Sequence, residues 1–154
     1  MIIAIQAALM CEDVQYDEHG RPSYLTVVGG GLASTSRPGI EPIHIVLHLA
    51  TDRKPGAAVV TVSAPSWSEP FPFTYPGNVD ITGVHLQLAV PMIEPGELEV
   101  VVDEGAGRRS AVLWRLTFPR DAEVDPDPRA RLRVLELARE GAAIMRDALK
   151  DRRH

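Results

Sequence analysis

The sequence predicts a mainly β fold, an antiparallel β-sandwich of about seven or eight strands followed by one C-terminal amphipathic α-helix. Three observations carry this. Short apolar–polar alternations recur over residues 1–120, each bounded by turn-forming residues. Thirteen Pro and twelve Gly in 154 residues punctuate the chain too often for long helices. Beyond residue 128 the apolar period changes from two to between three and four.

The chain opens on the apolar run Ile2-Ile3-Ala4-Ile5-Gln6-Ala7-Ala8-Leu9-Met10-Cys11, which reads as a buried strand. Its outer half, through Tyr16, turns over Asp17–Pro22 and returns as Ser23–Val28, a hairpin. Gly29-Gly30-Gly31 weakens any strand and marks an exit into a loop. From Pro42 to Thr51, Ile43, Ile45, Leu47 and Leu49 take one face and His44, Val46, His48 and Ala50 the other. Asp52–Gly56 reads as a hairpin turn into a returning strand, Ala57–Ser63. Pro65, Pro70, Pro72 and Pro76 predict an irregular stretch over 65–77. The next strand, Val79–Val90, points Val84, Leu86, Leu88 and Val90 inward and ends at Pro91. Glu97–Val102 buries Leu98, Val100 and Val102. After the turn Asp103–Gly107, Arg109–Phe118 buries Val112, Trp114, Leu116 and Phe118.

Residues 1–120 thus form the sandwich domain, and 121–128 an acidic, proline-bearing linker. Asp127-Pro128 then supplies an N-cap with Pro at the first helical position. The helix spans 129–152. Leu135, Ala138, Ala142, Met145 and Leu149 fall at alternating three- and four-residue steps. Val134, Leu137, Ile144 and Ala148, with Gly141 between, make a neighbouring stripe, so one apolar face is wide. Lys150, Arg152 and Arg153 complement the negative helix end.

The opening segment carries a resemblance. Ala7-Ala8-Leu9-Met10-Cys11-Glu12-Asp13-Val14, a polar turn with Gly20, and a strand reaching Val28-Gly29 resemble the start of an uncharacterised family of small bacterial β-sandwich proteins of unknown function. The likeness covers residues 1–31. It implies a compact β domain with no assigned activity, and it brings no catalytic residues.

Composition narrows the function classes. The formal net charge of -5 disfavours nonspecific nucleic-acid binding. The charge is uneven: residues 1–124 hold eight basic and fifteen acidic side chains, residues 125–154 eight and six. No stretch has the apolar length of a membrane helix. Leu9-Met10-Cys11 resembles a lipoprotein cleavage site, but no Lys or Arg precedes it, so a buried first strand is expected instead. The single cysteine, Cys11, cannot form an intrachain disulfide, which points to a reducing, cytoplasmic setting.

Reactive groups are sparse. His44 and His48 share a strand face but sit about 13 Å apart at about 3.3 Å per residue, too far for one ion. His85 could approach either from a neighbouring strand. The polar outer face of a sheet is the expected role, so no metal is predicted. Glu12 and Asp13 follow Cys11 and oppose a thiolate. Ser34 and Ser36 have no recognisable base, and the glycine run precedes no helix. No catalytic residue, cofactor or enzymatic activity is expected.

Two stretches stand out as contact surfaces. Residues 65–77 hold Trp67, Phe71, Phe73 and Tyr75, four of the eight aromatic residues, on a proline-stiffened ribbon. Such a ribbon could bind a partner, a peptide or a sugar ring if exposed, or close one end of the core if buried. The helix stripe Leu135, Ala138, Ala142, Met145 and Leu149 must likewise cover its own sheet, a second copy or another protein. The expected function is a non-enzymatic protein-binding or assembly module, self-associating or engaging another protein, with neither nucleic acid nor membrane as partner. A carbohydrate- or peptide-binding domain is the alternative, and an enzyme built on His or Cys11 beside a carboxylate is the third reading.

Overall fold

A computed structural model describes residues 1–105 and 107–151, and the side chains of 108 and 110–112 are outside that description. The expectations placed on Val112, Ala106, Arg152 and Arg153 therefore fall outside the described residues. Within them the chain is mainly β with one C-terminal helix. The strands are β1 (Ile2–Tyr16), β2 (Pro22–Val27), β3 (Gly31–Ala33), β4 (Ser36–Arg37), β5 (Gly39–Thr51) and β6 (Gly56–Ala64). They continue as β7 (Trp67–Tyr75), β8 (Ile81–Met92), β9 (Gly96–Asp103), β10 (Arg108–Thr117) and β11 (Glu123–Val124), before the helix α1 (Ala130–Asp151). One sheet has the order β2-β1-β5-β8, a second β3-β10-β9-β6-β7, and β11 pairs with β4.

The alternation read from the sequence places the core. Ile43, Ile45, Leu47 and Leu49 of β5, the even residues 84–90 of β8, and Leu98, Val100 and Val102 of β9 are all buried. Together with Val60, Val62, Phe71 and part of α1 they form one hydrophobic cluster supplied by both large sheets. The first strand has the expected double role: residues from Ile2 to Cys11 pair with β5, and those from Cys11 to Tyr16 pair with β2. Gly31 is where the chain leaves one sheet for the other. A Cβ there would stand 2.7 Å from the Arg115 carbonyl oxygen, so the parallel β3–β10 contact requires glycine.

Three expectations are corrected. The turn at 52–55 is not a hairpin, because β5 and β6 belong to different sheets. The chain turns a corner there, held by Arg53 at φ 65° and by the Asn78 N–H donating to the Arg53 carbonyl at 2.8 Å. Residues 67–75 are regular: β7 pairs with β6 along its whole length. It is an edge strand, which is where prolines are tolerated. The Pro70 carbonyl turns outward to Arg146 at 3.3 Å. A strand residue's N–H and C=O share a side, so Pro70, and Pro72 two residues on, lack N–H groups that would not have met β6. Pro91 likewise lies within β8, opposite Ile40, on the edge of the other sheet.

The segment read as a linker is strapped down. Glu123–Val124 pairs with Ser36–Arg37. Asp127 caps α1, its Oδ1 accepting the Arg129 N–H at 2.9 Å while Oδ2 takes Arg133 Nη1 at 2.9 Å. These bonds hold the Asp127 carboxyl below the usual carboxylate range, the Arg129 N–H contributing most. α1 then lies along β8 and β7, the two edge strands on that side. The Gln87 N–H of β8 donates to Met145 Sδ at 3.2 Å, and Arg146 reaches Glu69 Oε2 of β7 at 2.7 Å. One helix thus covers two open sheet edges, the groups that otherwise template aggregation.

Candidate functional site

The aromatic ribbon is core. Trp67, Phe71, Phe73 and Tyr75 alternate inward along β7 and are all buried. The intervening Ser68, Pro70, Pro72 and Thr74 face solvent. A ring-stacking site needs exposed rings, so this corrects the expectation that all four form a binding surface. The reason is the strand period itself: in an edge strand of a covered sheet, every second residue goes to the core.

The helix stripe divides in the same way. Leu135, Ala138, Ala142 and Met145 are buried on the chain's own sheets, and Leu149 packs against the same cluster. They are the docking face of α1, and their covering by the chain itself is the outcome that replaces a free interface. The neighbouring stripe is split: Val134 packs against the same cluster, while the residues beyond it do not. Leu137 is exposed and Ile144 is 72% exposed.

The two segments that the sequence marked do meet. A cleft of about 790 Å³ is lined by Ala57, Val59 and Thr61 of β6, Pro72, Phe73 and Thr74 of β7, and Leu149 and Lys150 of α1. Asp103, Glu104 and Gly105 of the turn after β9 also line it. The volume is that of a small-molecule site. Small side chains on β6 make the hollow, and the outward prolines of β7 keep an added strand from zipping along its wall. Sequence reasoning missed β6 and the β9–β10 turn as contributors. Ala57, Val59 and Thr61 carry no chemical signal, and their role appears only when the two sheets are assembled.

Glu104 ties this part of the lining to the rest of the fold. Its Oε1 accepts the Ile2 N–H at 2.8 Å and its Oε2 the Tyr75 hydroxyl at 2.6 Å. Burial and the Glu104 carboxylate push the Tyr75 phenol up to about 12. An unfolded tyrosine titrates near 10, so at intermediate pH the folded state binds the extra proton. Stability is therefore full below about pH 10 and falls as pH rises toward 12, by about 2–3 kcal/mol for a shift of this size. Denaturant midpoints from pH 8 to 12 check this. Tyr75→Phe should reduce the alkaline slope, leaving the smaller part due to the raised Cys11 and Tyr24 groups; an unchanged slope would sink the assignment.

A second constellation crosses the outer face of the four-stranded sheet. Tyr16 Oη lies 3.1 Å from His85 Nδ1, and His85 Nε2 lies 2.7 Å from His44 Nδ1. His44 Nε2 faces Asp13 Oδ1 at 3.8 Å. One assignment of protons satisfies the string: the Tyr16 hydroxyl donates to His85, His85 to His44, and His44 points its N–H at Asp13. His48 is apart from this string, two residues along β5 from Val46, whose partner is His85. Each imidazole nitrogen of the pair is turned to another side chain. Among the described residues no group of three or more His, Cys, Asp or Glu has metal-holding geometry.

Cys11 sits next to His44 across β1 and β5, buried with Val14 and Val46. Burial raises its thiol pKa, and the Asp13 charge adds to this. The thiol is thus protonated and shielded. Its reaction with a water-soluble disulfide should be at least about a hundredfold slower in the folded chain than in denaturant. A comparable rate in both states would place Cys11 at an accessible site. Ser34 is also spent structurally, its Oγ donating to the Ser36 carbonyl at 2.9 Å.

No helix among the described residues is long and apolar enough to cross a membrane. No protein-family model matches the chain, and no curated protein matches it in sequence.

Proposed function

We propose that this chain is a non-enzymatic binding module that seats its ligand in the cleft between β7, β6 and the end of α1. The observation that carries this is the cleft itself: about 790 Å³, lined mostly by apolar and small residues such as Ala57, Val59, Pro72, Phe73 and Leu149, with Asp103, Glu104 and Lys150 as its charged members. Its occupant is a compact apolar molecule or one apolar side chain of a partner protein. The reading takes the two large sheets as the faces of a sandwich, supported by the one hydrophobic cluster both supply. It also takes the setting as a reducing bacterial cytoplasm, supported by a lone, buried, free thiol.

A fragment screen by amide NMR tests it. Small aromatic and aliphatic fragments should shift the amides of Ala57, Val59, Thr74 and Gly105, and Val59→Trp should abolish those shifts by filling the hollow. Hits that avoid these residues, or that persist in Val59→Trp, would remove the reading.

One observation favours assembly as a second reading. Leu137 and Ile144, one heptad apart on α1, stay exposed, beside a groove of about 420 Å³ that reaches Pro42, His85 and Ala89. Light scattering should then give a dimer for the full chain and a monomer for Ile144→Asp. A monomeric full chain at millimolar concentration ends this alternative.

A further inference from the structure

The joint between α1 and β8 hangs on a sulfur atom. Gln87 pairs in register with His44, yet its N–H turns away from β5 and donates to Met145 Sδ at 3.2 Å. A thioether is a weak acceptor, and here it is the partner of an amide on a sheet edge. Met145 is only 7% exposed, but it lines the groove of about 420 Å³ beside α1, with Gly141, Ile144 and Ala148 on the same wall. One sulfur lone pair is thus engaged by Gln87, while the side chain borders a solvent-open groove. The other methionines differ: Met1 is 56% exposed, and Met10 and Met92 are wholly buried.

We propose that Met145 is an oxidation site through which a peroxide loosens α1 from β8. The second sulfur lone pair attacks one peroxide oxygen. The S–O bond forms, the O–O bond breaks, and the proton on the attacked oxygen passes to the departing hydroxide, which leaves as water. The thioether loses two electrons and hydrogen peroxide gains them. The product is a sulfoxide whose sulfur is electron-poor and no longer accepts the Gln87 N–H. Its oxygen stands in the groove lined by Ile144 and Ala148, where an added dipole draws in water. The Gln87 amide becomes an orphan donor on the β8 edge, and α1 loses one of the ties that hold it there.

Hydrogen peroxide and the folded full chain supply the test, read by peptide mass and by hydrogen exchange at the Gln87 amide. Met145 gains one oxygen after Met1 and well before Met10 and Met92. Gln87 exchange then accelerates by about tenfold or more, as local opening of this edge requires. Met145→Leu keeps the volume of the side chain but accepts no hydrogen bond. In that variant Gln87 exchanges fast without peroxide and gains nothing from it. A Met145 that stays unmodified while Met1 is fully converted overturns the proposal. So does a modified Met145 that leaves Gln87 exchange unchanged, or a Met145→Leu protein in which Gln87 stays slow.

Discussion

A chain ending at Arg120 will not persist as a soluble, folded monomer. Removing α1 strips Leu135, Ala138, Ala142 and Met145, all buried in the intact chain, from the core they cover. Leu135 and Met145 each contribute about 1.5–3 kcal/mol through burial, against a total domain stability of about 5–15 kcal/mol. The truncation also bares the edges of β8 and β7 together, because the helix lies along both. Pro70 and Pro72 blunt β7, but β8 is left with an open edge on which the Gln87 amide has lost its partner. Light scattering should show aggregates for the truncated chain under conditions where the full chain is monodisperse. A soluble truncation that retains the emission of the buried Trp67 and Trp114 would show that the sheets close without the helix.

This result separates two views of α1 that the sequence leaves open. The wide apolar face is legible as periodicity, and its two stripes are distinct on a helical projection. Which stripe goes inward is decided by the edges it must cover. The small residues Ala138 and Ala142 let the helix approach the core closely, while Gly141 meets Ala89, whose Cβ would lie 3.9 Å from an added methyl group. The Leu137–Ile144 stripe lies beyond that line of contact. Nothing in residue type alone distinguishes Leu135 from Leu137.

The strands themselves were legible because alternation is a local property. Ile43 to Leu49, Val84 to Val90 and Leu98 to Val102 each declare a face within a few residues. Sheet membership is not local. Asp52–Pro55 looks like any hairpin turn, yet it carries the chain between sheets, since consecutive strands pair only about two-thirds of the time. The prolines of β7 were read as breakers when they mark an edge. That difference rests on whether a second neighbour exists for β7, a fact of the whole fold. For the same reason the candidate site was half visible. Phe73 and Leu149 lie in segments with a sequence signal, whereas Ala57, Val59 and Thr61 are ordinary strand residues that become a cleft floor by position.

Phe71→Ala is expected to be the most damaging single substitution in the aromatic segment. Its ring is wholly buried in the centre of the core cluster. Arg146 lies over it at 5.8 Å from the ring centroid, held there by Glu69 at 2.7 Å. Truncation to alanine removes the ring and leaves a cavity, a change that costs about 3–5 kcal/mol in comparable cores. The guanidinium of Arg146 also loses its ring face, so the helix is unseated from β7 at the same point. Pro72→Ala, one position along on the outward face, should change stability by less than about 1 kcal/mol. Denaturant unfolding of both variants measures the contrast. If Phe71 were a binding platform, its loss would leave the unfolding midpoint near the original value; a midpoint that collapses for Phe71→Ala and holds for Pro72→Ala assigns the inward half of β7 to the core.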